Sequence, residues 1–385
     1  MKLWKLIAWA RRFFRERKGG RGLSEKAPIC MFDYILEEKR VFMEILKNRE
    51  KIAEGFSEYW KQNEIKELVI CGSGTSYHSA VAVRTFLERI LKIRVRAEYP
   101  MTFKDLQEIY EPATLFIGIS QGGQSRSTLD AILKAKAGGL FVVAISENIQ
   151  AEIFQDADLT IPLKCGPELS VAKTKGYIAT MGILLVLGLE ASKAKGTVSN
   201  HEFDGYLERL KTVGMNFDQL IDLSEKWLDL VKDELISSRR IIVVGYKEQY
   251  ANVLEGALKL LETLRYGIYG YEIEEFYHGI YNSIQSDTYI IYLASEGEYK
   301  EKVRKLREVL SGYTSHQFVI TKGIEGYQPS KKDCILPFVD DPDFSVFEYI
   351  LPLQVIASKI PYELGIDPFR ASDPKFHSKV GSKLV

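Results

Sequence analysis

Three ionisable residues fall at helical spacing within residues 254–279, LEGALKLLETLRYGIYGYEIEEFYHG. Glu255, Lys259 and Glu262 stand at i, i+4 and i+7, so a helix carries them on one face. Leu254, Ala257, Leu258, Leu261 and Leu264 form an apolar stripe beside them, and His278 follows. This set of groups can move protons. A carboxylate acts as a base when burial and neighbours tune its pKa, and Lys259, one turn before Glu262, can hold it ionised. A histidine near neutrality suits transfer to and from an oxygen. The same spacing also describes a solvated helix face, so periodicity alone leaves both readings open.

Two polar loops supply what such a site would act on. ELVIC (residues 67–71) gives way to GSGTSYHS, and LFIGIS (115–120) gives way to QGGQSRS. Gly72 and Gly74 let the backbone approach an anion, and Thr75 and Ser76 offer hydroxyls. Ser120, Gln121 and Ser125 offer further donors, and Ser125 fits the start of the next helix, whose positive end favours phosphate. A dinucleotide fingerprint is excluded by Tyr77, where a third glycine is needed, and no Gly-Lys-Ser/Thr loop is present. Each loop alone reads equally well as a helix-capping turn. Two on successive strands can face one ligand. The corresponding segments of the second half, GYKEQY and SEGEYK, are charged and poor in hydroxyls, which predicts one phosphate site per chain.

The elements positioning these groups alternate short apolar strands with helices, the pattern of parallel strands covered on both faces. The series then restarts. Gly72 recurs as Gly245, Thr114 as Thr288 and Pro162 as Pro337, at a nearly constant offset. The long helices GYIATMGILLVLGLEAS and FEYILPLQVIASKIPYELG also correspond. The chain therefore reads as a tandem duplication of one α/β domain, each copy a doubly wound parallel sheet flanked by helices in a flavodoxin-like αβα sandwich.

With 385 residues there is room for two cores. Lys plus Arg and Asp plus Glu both number 52, so the basic footprint of a general nucleic-acid binder is missing. Cys30, Cys71, Cys165 and Cys334 form no CxxC pair, which argues against a zinc site or disulfide framework and for a reducing cytoplasm. Residues 1–30 are a basic, aromatic leader. Its apolar run is too short and interrupted for a secretory signal, and an optional leader is expected in preference to a membrane-surface helix. No segment reads as the roughly 18 apolar residues of a spanning helix. Met31 opens the globular pattern.

Taken together, GTSYHS, SQGGQS, CGPELSVAKTKGY, LEGALKLLETL and HG resemble the sugar isomerase (SIS) domain family over residues 31–385. The arrangement is similar to the double-domain isomerase half of glucosamine-6-phosphate synthases and to the fructoselysine 6-phosphate deglycases. The resemblance implies an N-terminal SIS domain at 31–195 with the phosphate site. A helical connection at 196–235, a C-terminal SIS domain at 236–366 with the catalytic helix, and a tail at 367–385 closing over the site would follow. Gly74, Thr75, Ser76, Ser120, Gln121 and Ser125 would meet the phosphate of a sugar phosphate. Val171 and Lys173 would line the sugar pocket. Glu262 would carry a proton between C1 and C2, with Glu255 and Lys259 flanking it. His278 would open the sugar ring from a neighbouring subunit, implying a homodimer. No cofactor and no metal is expected.

Three departures narrow the reaction. No glutaminase segment with its N-terminal Cys nucleophile is read, so release of ammonia from glutamine is not expected. Gly122 and Gln124 replace a phosphate-binding serine and a carboxylate of the synthase motif. In the tail DPKFHSKVGSKLV, His377 falls nearest the position of the synthase's Schiff-base lysine, flanked by Lys375 and Lys379. A substrate already carrying its nitrogen needs no Schiff base, and EEFYHG is closer to the deglycases. Glu274 and Glu275 read as a charged turn or as partners for an amine. The expected activity is deglycation, deamination or aldose–ketose isomerisation of an amino-sugar or Amadori-type hexose phosphate. The alternative is a non-catalytic sugar-phosphate sensor.

Overall fold

A computed structural model describes residues 30–106, 108, 111 and 113–384. The leader lies outside the described residues except for Cys30. Three helices open the chain: α1 (Met31–Leu36), α2 (Glu38–Lys47) and α3 (Arg49–Gln62). The first sheet contains β1 (Glu67–Cys71), β2 (Arg94–Glu98), β3 (Thr114–Ile119), β4 (Phe141–Ser146) and β5 (Leu159–Pro162), all parallel, in the order β2-β1-β3-β4-β5. Helices α4 (Thr75–Leu91), α5 (Arg126–Ala137) and α6 (Lys175–Lys195) accompany it. Strands β1, β3 and β4 are almost wholly buried, as their unbroken apolar runs require.

Helices α7 (Asn200–Met215) and α8 (Phe217–Ile236) lead to the second sheet. Its strands are β6 (Arg240–Gly245), β7 (Gly267–Glu272), β8 (Tyr289–Ala294), β9 (Gln317–Thr321) and β10 (Cys334–Ile335). They are parallel in the order β10-β9-β8-β6-β7, the arrangement of the first sheet repeated, as the duplication predicts. Between them lie α9 (Gln249–Leu264), the short α10 (Ile273–Tyr277) and α11 (Lys300–Leu310). The chain closes with α12 (Val346–Tyr349), α13 (Leu351–Glu363) and α14 (Phe376–Val380). One apolar cluster runs through both halves, from Phe42 and Leu87 to Leu260 and Leu353.

One expectation needs correcting. Helix α6 is 21 residues long and apolar enough, by length and composition, to cross a membrane. The sequence reading found no segment that approaches a spanning helix, whereas this one passes by length and composition. In the fold it is the central core helix, packed by α3 and α4, and 89% of its apolar window is buried.

Helix α9 carries the candidate residues and packs on its own sheet, on α13 and on α4 of the other half. Its approach to β7 depends on Gly270, where a Cβ would stand 2.7 Å from the Val253 carbonyl oxygen. Backbone cannot move aside as a side-chain tip can. Gly270→Ala is expected to lower stability by about 1–3 kcal/mol, read from urea denaturation. An unchanged midpoint would show that the packing of α9 on β7 is loose.

Candidate functional site

The two polar loops sit at the carboxyl ends of β1 and β3, which are neighbours although not consecutive. This is the topological switch point of the first sheet, where open α/β sheets bind ligands. Gly74 has φ 55° and ψ −128° at the N-cap of α4, which places Thr75 and Ser76 in the first helical turn. Ser125 caps α5, its hydroxyl accepting from the Thr128 amide. The Ser125 amide in turn donates to Ser120 Oγ at 3.4 Å. Ser76 and Ser120 are buried, and Thr75, Gln121 and Ser125 are half-buried.

Helix α9 brings the carboxylates to the first loop. Thr75 Oγ1 donates to Glu255 Oε1 at 2.9 Å and accepts from Lys259 Nζ at 3.2 Å. Lys259 Nζ lies 2.6 Å from Glu262 Oε2 and 3.5 Å from Glu255 Oε1. Glu255 and Lys259 are each 1% exposed, while the Glu262 side chain is 25% exposed. The solvated-face reading is thereby overturned: the charges point inward. Leu261 of the adjacent apolar stripe is 43% exposed, and Leu254 and Leu258 are half-buried. The helix lies between the two halves, and the charged stripe is the one that finds polar partners there.

The three groups differ electrostatically. Burial raises the Glu262 carboxyl above its ordinary range, an effect that Lys259 only partly offsets. For Glu255 burial acts in the same sense, but Lys259, His78 and Thr75 together hold its carboxyl below the usual range. Burial pulls the Lys259 ammonium down, and Glu255 and Glu262 more than compensate, so it stays charged. Glu262 is therefore the more basic carboxylate and the one facing solvent. It lines an open depression of about 500 Å³ with Val171, Leu261, Arg265, Tyr266, Ala371 and Ser372.

Val171 thus stands beside Glu262, its amide bonded to the Pro368 carbonyl at 3.0 Å. Lys173 Nζ donates to the carbonyls of Glu168 and Ser170. Its ammonium is lowered, first by burial and then by Lys259 and Lys383, against the opposing pull of Glu168 and Glu262. Gln121 is less free than the sequence implies: its Nε2 donates to Glu168 Oε2 at 3.2 Å. Glu168 also accepts from the Thr174 amide and hydroxyl and from the Gly176 amide, tying the second loop to the start of α6.

The tail crosses to the first half. Lys383 forms an isolated antiparallel bridge with Ser125, and the Leu384 amide donates to the Gln124 carbonyl at 2.9 Å. His377 is exposed, its Nδ1 2.9 Å from Ser382 Oγ, and its pKa is lowered by burial and by Lys383. Lys383, rather than Lys375 or Lys379, is the tail lysine whose charge reaches Lys173. His278 is exposed at the end of α10, beyond the edge strand β7, and no side-chain hydrogen bond or ion pair to it is seen among the described residues. The sequence reading missed His78 and Glu168. His78 Nδ1 lies 2.7 Å from Glu255 Oε2, and its place three residues after Thr75 was the available signal. The equivalent crevice of the second half is closed by buried Tyr246, whose hydroxyl donates to the Ser295 carbonyl.

Fold and site define an α/β protein with an anion-suited crevice beside an acid–lysine–acid triad, of which only Glu262 reaches solvent. The SIS domain pattern matches residues 63–189 and 234–352, and the chain belongs to the SIS domain family. Over 310 residues it is 26% identical to glutamine–fructose-6-phosphate aminotransferase (isomerizing) of Zymomonas mobilis, a match covering 79% of this chain and 50% of that protein. The chain spans about half the length of the curated relatives it matches. A proposed phosphosugar isomerase from Clostridium difficile 630 has a similar structure, with TM-score 0.87, 35% identity, and coverage of 93% of this chain and 99% of that one. A proposed sugar-binding protein from Salmonella typhimurium LT2 aligns with TM-score 0.76 and 30% identity, over 86% and 99% of the two chains.

Removing Lys259 leaves the buried Glu255 and the half-buried Glu262 without their cation. Lys259→Met is expected to cost about 3–5 kcal/mol near neutral pH, the usual loss when one partner of a buried pair is removed. Glu255, held below its ordinary pKa, contributes stability that is present above that value and lost as pH falls through the lowered one. The deficit of the variant therefore shrinks on acidification, as both carboxylates protonate. Urea denaturation at neutral and acidic pH measures this, and a deficit independent of pH would contradict it.

Proposed function

We propose that this chain moves a proton between C1 and C2 of an amino-sugar or Amadori-type hexose phosphate. The observation that carries the reading is Glu262: a raised, solvent-facing carboxylate whose lysine partner is hydrogen-bonded to the first phosphate loop. Hydroxyls and amides at residues 74–76 and 120–125 hold the phosphate at the switch point, and the sugar extends toward Val171 and Glu262. Glu262 takes the proton from one carbon and returns it to the next through an enediol or enaminol, the single-base task suited to a carboxylate of raised pKa. With a ketoamine the product is an aldimine. Water adds to its carbon, the C–N bond breaks, and the amine leaves with the proton. Lys259 stays protonated and keeps Glu262 ionised between transfers. His278, without a side-chain hydrogen bond or ion pair among the described residues, acts from a second copy in a homodimer on the ring oxygen.

Transfer of solvent deuterium into C1 or C2 tests this directly. Glu262→Gln is expected to lose exchange by about 10²–10⁴-fold with sugar-phosphate binding retained. Undiminished exchange would remove Glu262 as the base, and binding without exchange in the wild-type protein would favour a sensor. Because the base acts ionised and its pKa is raised, exchange falls as pH drops through a value above the ordinary 4.5. An acid limb at or below 4.5 would contradict the assignment.

A further inference from the structure

The triad on α9 is joined from the other half of the molecule by His78, which bonds Glu255 and does not line the depression at Glu262. We propose that His78 is a positioning residue, which holds Glu255 as an ionised acceptor and thereby leaves Lys259 directed at Glu262. This rests on the reading of Glu262 as the base.

The geometry assigns the imidazole proton. Glu255 Oε2 lies 2.7 Å from His78 Nδ1, and an ionised carboxylate only accepts, so Nδ1 carries hydrogen. Both side chains are buried, at 9% and 1% exposure. Glu255 thus receives three donors with distinct roles. His78 takes Oε2, Thr75 takes Oε1 at 2.9 Å, and Lys259 approaches Oε1 at 3.5 Å. The ammonium is left much closer to Glu262, at 2.6 Å. With Oε2 already satisfied, Glu255 has less claim on Lys259, and the lysine serves the base. Thr75 and His78, three residues apart on α4, present both donors from one face to α9.

The other charged or titratable groups around this network are few. Arg265 shares the depression with Glu262, Tyr177 of α6 lies near Glu255, Glu168 and Lys173 approach from residues 165–175, and Lys383 reaches Lys173 from the tail. Among the described residues, the polar partners seen on the Glu255 carboxylate are His78, Thr75 and Lys259.

Removing the donor has a signed consequence. Glu255 keeps Thr75 and Lys259, stays ionised and draws the ammonium toward its vacated oxygen. Glu262 then loses part of the interaction that lowers its pKa. Solvent-deuterium exchange into a hexose phosphate is measured against pH for wild type, His78→Phe, His78→Ala and His78→Asn. Phe fills the imidazole's volume and Ala leaves a cavity, so agreement between them separates loss of the donor from loss of packing. The acid limb is expected to move up by about one pH unit in both, the effect of one hydrogen bond to a charged group. Asn places an amide N–H at the same δ position and restores the wild-type limb. An unmoved or lowered limb in His78→Phe, or Asn no better than Phe, overturns the proposal. Absence of exchange in the wild-type protein at every pH overturns instead the reading beneath it. An independent check is the ¹⁵N spectrum of the histidines, where His78 should carry hydrogen on Nδ1 at neutral pH, and an Nε2–H tautomer would contradict the contact.

Discussion

A lysine ammonium 1% exposed to solvent is the constraint around which this structure is arranged. Removing a cation from water costs several kcal/mol unless fixed partners replace the hydration. Lys259 finds them in Glu255 and Glu262 on its own helix and in Thr75 on the other half of the chain. The charged stripe of α9 must therefore face α4, and the two halves must meet there. An apolar helix in this place would pack as well, but nothing in it would fix which turn of α9 stands over the loop at the end of β1. The ionic contacts set that register, and with it the position of the one carboxylate left open to solvent.

The duplicated fold divides its labour accordingly. Both sheets have the same strand order and each has a switch point. In the first half that crevice is lined by glycines and hydroxyls. In the second it is filled by the Tyr246 ring, and the helix that follows carries Glu255, Lys259 and Glu262 instead. The groups proposed to anchor the anion and those proposed to move the proton thus follow corresponding strands of the two copies. Glu168 and the tail draw the site together from the far side, the former by fixing Gln121 and the start of α6, the latter by pairing with Ser125.

What the sequence disclosed follows from which signals are local. Buried strands such as LFIGIS and RIIVVG are continuous apolar runs, so sheets, order of elements and duplication were legible. The edge strands β2 and β7, RVRAE and GIYGYE, are half-exposed and carry no such run, and they went unread. The spacing of Glu255, Lys259 and Glu262 was visible, but whether that face met water depended on a contact 180 residues away, from Thr75 to Glu255. His78 was hidden for the same reason: its partner is 177 residues distant, and a histidine on a helix beside tyrosine reads as packing. In the tail, position relative to a motif pointed to His377, whereas the antiparallel bridge brings Lys383 toward the site.

The central claim is spatial: one ligand must reach both the loops of the first half and Glu262 on α9. A crystal structure with an unreactive acyclic hexitol 6-phosphate bound measures this. The account predicts the phosphate against residues 74–76 and 120–125, with the carbons equivalent to C1 and C2 beside the Glu262 carboxylate. A phosphate seated elsewhere, or a chain directed away from Glu262, would contradict it.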